Sequence, residues 1–527
     1  MSRIPNWQGE RVPRFDVDGV RGELRRLQDT CHIVADGDAV GAVSGGGEAD
    51  EGGFELLASV PPFPSAVLGS AAFREAHGVR LAYMTGAMAN GIASEELVIA
   101  MAEAGLLASF GAAGLAPDRI ASALNVFESK IPGLPFACNL IHSPAEAGLE
   151  RATVDLYLDR EVRLVEASAF LGLTAEVVRY RVAGLERDQD GRVVARNRVI
   201  AKVSRPEVAA LFLRPAPREI LDTLVAEGRI SSLQAELAAR VPLADDITVE
   251  ADSGGHTDRR PAAVVTAAVL RLRDRITREL GYVSVPRVGA AGGLGSPEGL
   301  AAAFAMGADY VVTGSVNQSC VEAGTSPEAK ELLARAGVAD YAMAPAADMF
   351  EIGAEVQVLR RGTMYPMRAS RLRELYRTYD GLGALPDAEL RRLEKDMFRM
   401  PVDEVWRECA DYLRTREPAQ IDRAAKDPKV KMALVFRWYL GLSARWAVHG
   451  DADRVRDYQV WCGPAMGAFN DWAKDSRLFP VENRTVADVA EQLMRGAAYV
   501  SRLRQIGATG AVLASSLNDY RPAPLPS

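Results

Sequence analysis

Cysteine is scarce and unpatterned in this chain, with five residues at 31, 138, 320, 409 and 462 of 527. No two stand at CxxC spacing, so a zinc ribbon or a dithiol redox motif has no support, and free thiols in a reducing cytoplasm are expected. Histidine is equally scarce, five in all, and no two sit at metal-ligand spacing. No apolar run is long enough to span a bilayer. The charged start, MSRIPNWQGERVPRFD, lacks the apolar core of a signal peptide. Excess positive charge is missing too. A net charge of −8 excludes overall attraction to nucleic acid or an anionic membrane and leaves only local basic patches. Neither GxxxxGK[ST] nor GxSxG occurs, and GGLGSPEG lacks the third glycine of a dinucleotide fingerprint, so P-loop and acyl-serine chemistry are set aside.

What is present reads as globular: 48% hydrophobic and 25% charged residues. The length exceeds one ordinary core, which predicts a large domain plus a second unit. Residues 1–80 form an N-terminal segment with a strand signal, CHIVADGDAVGAV, a flexible acidic loop, SGGGEADEGG, and a stiff lead-in, PPFPSAVLG. From Leu81, eight short apolar runs alternate with alanine- and leucine-rich helical text. They are LAYMTG, LLASFG, PFACNL, VRLVEASAF, VIAKVS, ITVEADS, VPRVGAAGG and YVVTGS. Alternation implies a parallel sheet, and eight units over some 250 residues match the size of a closed (β/α)₈ barrel. An open doubly wound sheet is the competitor. The predicted α/β architecture is a barrel over 81–380, a helical module over 381–510 and a tail over 511–527, whose end, RPAPLPS, is expected to be disordered.

In such a barrel the site lies at the C-terminal ends of the strands. Those ends read TGAMANG, FGAAG, NLIHSP, EASAF, KVSRP, DSGGH, GAAGG and TGSVNQ. Small residues predominate, which lets a flat ligand approach the backbone. The seventh and eighth ends form the expected anion site. Gly292, Gly293, Gly314 and Ser315 offer N–H groups, and Thr313 and Ser315 offer hydroxyls. A helix starting at Ser326–Pro327–Glu328 would add its positive end. Tight βα turns are the plainer reading of the same glycines. In EADSGGHTD, two glycines precede His256 at a strand end, as if clearing room for a bulky flat ligand. His142, in NLIHSP, is a second candidate; a loop histidine bonded to nearby backbone is its plainer reading.

DSGGH after the sixth strand resembles the EAGGH segment of the nitronate monooxygenase and FMN-dependent enoyl reductase superfamily. Asp252–Ser253 stands where many members have Glu–Ala. Longer blocks resemble the PfaD type, the trans-acting enoyl reductase of polyunsaturated fatty acid synthases and trans-acyltransferase polyketide synthases. They include LAYMTGAMANGIAS, ITVEADSGGHTDRRP, VVTGSVNQSCVEAGTS, APAADMFEIGAEVQVLRRGTMYPMRA, ALVFRWYLGLSARWA and YQVWCGPAMGAFNDW. The likeness runs from about Cys31 to about Arg504. It implies an FMN barrel in which NADPH or NADH reduces the flavin, and hydride passes to an enoyl thioester on an acyl carrier protein. It places the flavin phosphate at Gly292, Gly293, Gly314 and Ser315. The ring would meet Gly86, Ala87, Met88, Asn139, Lys202 and His256.

Residue chemistry suits these roles and leaves alternatives. Lys202 can stabilise charge developing near flavin N1, or form a salt bridge with Glu166 or Glu250. Asn139 can hold the ring edge or cap a turn. His256 can protonate the substrate α-carbon, hold the thioester carbonyl, or only wall the pocket. Rival functions are a nitronate-oxidising flavoenzyme with His256 as base, and a flavin-binding scaffold of a megasynthase. An acidic carrier protein would need a basic patch. Arg368, Arg371, Arg373 and Arg377 form one candidate; Lys426, Lys429 and Lys431 form another; a solvated helix face is the plainer reading of each.

Overall fold

The structure is a computed structural model that describes residues 5–142 and 147–522. Ser143 and Pro144 of the NLIHSP strand end lie outside the described residues. Five short strands come first: β1 (Asn6–Gln8), β2 (Cys31–Asp36), β3 (Ala39–Ser44), β4 (Gly47–Ala49) and β5 (Phe54–Val60). They form one antiparallel sheet in the order β3-β2-β5-β1-β4. The DGD turn closes the β2–β3 hairpin, with Asp36 opposite Ala39. Part of the acidic stretch expected to be a loose loop is strand β4, because β1 offers it an edge to pair with.

All eight predicted runs are strands of one closed parallel barrel. They are β6 (Tyr83–Thr85), β7 (Leu107–Phe110), β8 (Ala137–Ile141), β9 (Leu164–Ser168), β12 (Arg198–Val203), β13 (Asp246–Glu250), β15 (Arg287–Ala291) and β16 (Val311–Thr313). A β-hairpin, β10 (Leu185–Arg187) with β11 (Val193–Ala195), precedes β12. A two-residue strand outside the barrel, β14 (Gly255–His256), follows β13. Continuous burial along the barrel strands explains why they read as unbroken apolar runs rather than alternating ones. The intervening helices start where capping chemistry says they should. Ser94 Oγ accepts from Leu97 N, and Ser296 Oγ from Gly299 N ahead of Pro297.

Beyond the barrel strands, the order of the chain differs from the expectation. A second hydrophobic core runs from Ala344 to Leu440, built on strands β17 (Tyr341–Pro345) and β18 (Glu355–Leu359) and on helices including Tyr365–Thr378 and Pro428–His449. So the second unit begins before 381 and contains sheet. The Val486–Ala508 helix, assigned by sequence to the helical module, packs instead on the helices that follow β15 and β6. That is the place of the eighth barrel helix. The insert therefore sits between the barrel's last strand and its last helix. The tail from 511 is packed as far as Tyr520, where Leu517 and Tyr520 are buried and Tyr499 Oη donates to Leu517 O, and residues 523–527 of RPAPLPS lie outside the described residues.

Candidate active site

The strand ends bring the predicted residues to one mouth, though not all in the predicted roles. Lys202, near the end of β12, lies in register with Thr248 of β13. Its Nζ is 3.5 Å from Glu250 Oε1. Burial disfavours its charge, but Glu250 and Glu166 outweigh that and raise its pKa. Lys202 is thus a fixed cation at the mouth, and the salt-bridge reading holds with Glu250 as the partner. Glu166, on β9, is fully buried; its Oε2 accepts from Ala87 N at 2.8 Å, while Oε1 has no hydrogen-bond partner. Asn139 donates to Glu166 O and to Ser168 Oγ, so its amide nitrogen is used internally.

His256 is on β14, which pairs with β18 of the insert. Its side chain is 52% exposed, with Nε2 3.3 Å from Asp348 Oδ1. Burial would raise the Asp348 pKa, but contact with His256 and local backbone N–H groups bring it below the ordinary carboxylate value. The two glycines before His256 have a different reason from the one expected. A Cβ on Gly254 would stand 2.8 Å from Cys462 N, so the cleared space is filled by the chain itself. Gly255 has φ +84°, a left-handed turn that aims β14 at β18. Gly86 likewise makes room for Val312, whose Cγ1 would lie 2.9 Å from an added Cβ.

The two loops expected to form an anion site are set differently from one another. Gly293 (φ +73°) and Gly314 face open space, with nothing within 4 Å of an added Cβ. Gly292 is a tight turn against Ala251 and Asp252. Thr313 is corrected as a ligand donor. Its hydroxyl is 2.5 Å from Tyr83 Oη and accepts from Asn317 Nδ2, a buried network inside the barrel. Ser315 Oγ accepts from Gly463 N at 3.4 Å. The helix at Ser326 forms, but its start is buried against the insert, where Ser326 Oγ donates to Ala447 O. Met88 O accepts from Ala93 N and shapes the β6 turn. His142 Nδ1 bonds Glu150 Oε2 at 3.0 Å and its ring stacks on Phe170, a local structural setting.

The predicted basic patches are largely satisfied within the fold. Arg368 pairs with buried Asp457, Arg371 with Glu374 and Glu389, and Arg373 with Glu355. Lys429 donates to Tyr376 O and Tyr379 O, and Lys431 lies over Trp406. The segment Trp461–Cys462–Gly463 was missed as a site element. It forms a bridge to Val358, abuts Gly254 and reaches Ser315. Gln357 was also missed; its Nε2 donates to Asp252 Oδ1 at 3.0 Å. The Gly-Pro pair at 463–464 was the available turn signal.

Comparison with known proteins agrees with this fold. The nitronate monooxygenase family profile matches residues 78–365, and the fatty acid synthase subunit PfaD N-terminal domain profile matches residues 7–62. The chain belongs to the PfaD-type branch of the nitronate monooxygenase-like superfamily. The inserted helical domain profile of [acyl-carrier-protein] S-malonyltransferase matches residues 379–458, within the insert. The chain is 51% identical over 454 residues to a polyunsaturated fatty acid synthase subunit of Thraustochytrium sp., covering 85% of this chain and 30% of that protein. It is 44% identical over 428 residues to polyketide biosynthesis protein PksE of Bacillus subtilis, covering 81% and 55%. The chain thus spans only part of the length of these relatives. The solved enoyl reductase domain of MlnA, from the macrolactin cluster of Bacillus amyloliquefaciens, superposes with a TM-score of 0.81 at 38% identity. That match covers 84% of this chain and all of that domain.

Proposed function

We propose that this PfaD-type chain is an FMN-dependent enoyl reductase that acts, with NADPH or NADH, on enoyl thioesters carried by an acyl carrier protein of a polyketide or fatty acid synthase, in the cytoplasm. One observation carries the reading. A fixed cation, Lys202, and an exposed histidine, His256, share a mouth with two glycine loops that face open space. The residues present fit a flavin phosphate: Gly293 and Gly314 have room in front of them, and the N–H groups of Gly293 and Ser315 are suited to an anion. Gly86, Ala87, Met88 and Asn139 would border the ring. When bound, FMN would supply the hydride chemistry that links a nicotinamide to the substrate β-carbon. Lys202 stabilises negative charge at the ring edge. His256 donates a proton toward the α-carbon or holds the thioester carbonyl, and Asp348 orients its ring. Glu166 and Asn139 keep the β6 and β8 ends in place.

The test is anaerobic. The yellow protein should bleach with NADPH or NADH and regain colour on adding an enoyl thioester bound to a carrier protein. His256→Ala should lower turnover by roughly 10²–10⁴-fold with flavin still bound. Bleaching of the flavin by a nitronate without any nicotinamide, with no recovery of colour on the enoyl thioester, would assign the nitronate-oxidising reading instead. Unchanged turnover in His256→Ala would remove the histidine from the chemistry.

A further inference from the structure

We infer that Glu166 is a charge-tuning and positioning residue of the mouth, holding the Gly86–Ala87 turn while lowering the reduction potential of the bound flavin. The inference rests on the flavin reading above and concerns a group that reading gives no electronic role.

The carboxylate is fully buried on β9, in register with Asn139 of β8 and Ile200 of β12. Its Oε2 takes a 2.8 Å hydrogen bond from Ala87 N. Its Oε1 is sealed from solvent with no partner, 3.6 Å from the position a Cβ would take on Gly86. A buried acceptor left half-satisfied is costly, and a buried charge is costlier still. Holding the Ala87 amide requires neither, since a neutral glutamine oxygen would accept that bond equally well. What the carboxylate adds is its charge.

That charge belongs to a cluster. Lys202 is the cation, Glu250 lies 3.5 Å from it, and Glu166 is a second carboxylate acting on the same ammonium. One cation against two carboxylates leaves the floor of the mouth one negative charge in excess. Lys202 alone would draw electrons onto a flavin above it. The second carboxylate moderates that pull in a region where burial weakens screening by solvent and salt. The reduced cofactor is then a more willing hydride donor, which suits reduction of a conjugated double bond.

The experiment compares wild type, Glu166→Gln and Glu166→Asp as FMN-loaded proteins. The readouts are the midpoint potential by dye equilibration and the FMN dissociation constant of the apoproteins by flavin fluorescence. Glu166→Gln keeps the shape and the Ala87 bond. It should favour reduced over oxidised flavin by about tenfold, a rise of about 30 mV for a two-electron couple. Glu166→Asp keeps the charge and should hold the wild-type potential even where flavin binding weakens. A Glu166→Gln potential equal to or below wild type overturns the inference. A tenfold shift in Glu166→Asp also overturns it, and does so whether or not Glu166→Gln folds. Wild-type protein that binds no flavin would instead remove the functional reading, and this inference with it.

Discussion

His256 pairs its backbone with Val356 while its ring stays about half exposed beside Asp348. The backbone is held and the ring can still exchange protons with solvent, which is what a recharging proton donor needs. Asp348 is the local restraint on the ring, so Asp348→Ala should lower turnover about tenfold with flavin content unchanged, read by kcat against absorbance at the flavin band. An equal loss of flavin would show that Asp348 supports the loop rather than the ring. At this scale the sequence was informative about residue type and less so about setting. DSGGH marked the correct strand end, yet the partner that fills the space beside Gly254 is Cys462, two hundred residues later. Thr313 read as a free hydroxyl because Tyr83 meets it only through barrel closure, and because Asn317 reaches back to it from the helical turn four residues on.

Among the elements, loops after β13 and β15 meet one late segment. A Cβ on Gly295 would stand 1.9 Å from Ala465 O, and one on Gly254 would press on Cys462. These are backbone contacts that no rotamer change can relieve. Gly295→Ala should therefore destabilise by about 1–3 kcal/mol and loosen the loop carrying Gly293, seen as weaker FMN binding. Gly299→Ala, which meets only ordinary contacts beyond 3.4 Å, is the control expected to leave binding unchanged. The barrel strands were legible because each is a short apolar run between turn residues. Strands β14, β17 and β18 were not. β14 has only two residues and pairs with β18 across about a hundred positions, for which local sequence holds no signal, while β17 and β18 form a hairpin inside the stretch assigned to the barrel.

For the whole molecule, one buried triad ties the foot of the barrel together. Asp246 at the start of β13 accepts from Arg287 of β15 and meets His77 Nε2 at 2.9 Å. Burial opposes its ionisation, but His77 and Arg287 hold its pKa well below the ordinary value. Since the folded pKa is depressed, the triad's contribution is full above the unfolded value of about 3.9 and drains as pH falls through the folded one. Asp246→Ala should cost about 3–5 kcal/mol at neutral pH by denaturant titration. The gap from wild type should close in strong acid; a pH-independent gap would assign the loss to packing alone.

The late barrel helix sets an order for synthesis. Val486–Ala508 covers the seam between the helices after β15 and β6, but residues 314–485 must be made first. At about 5–20 residues per second, a ribosome leaves that seam wet for roughly ten to thirty seconds after the last barrel strand is complete. Slower translation of the insert would lengthen that exposure rather than help the barrel fold.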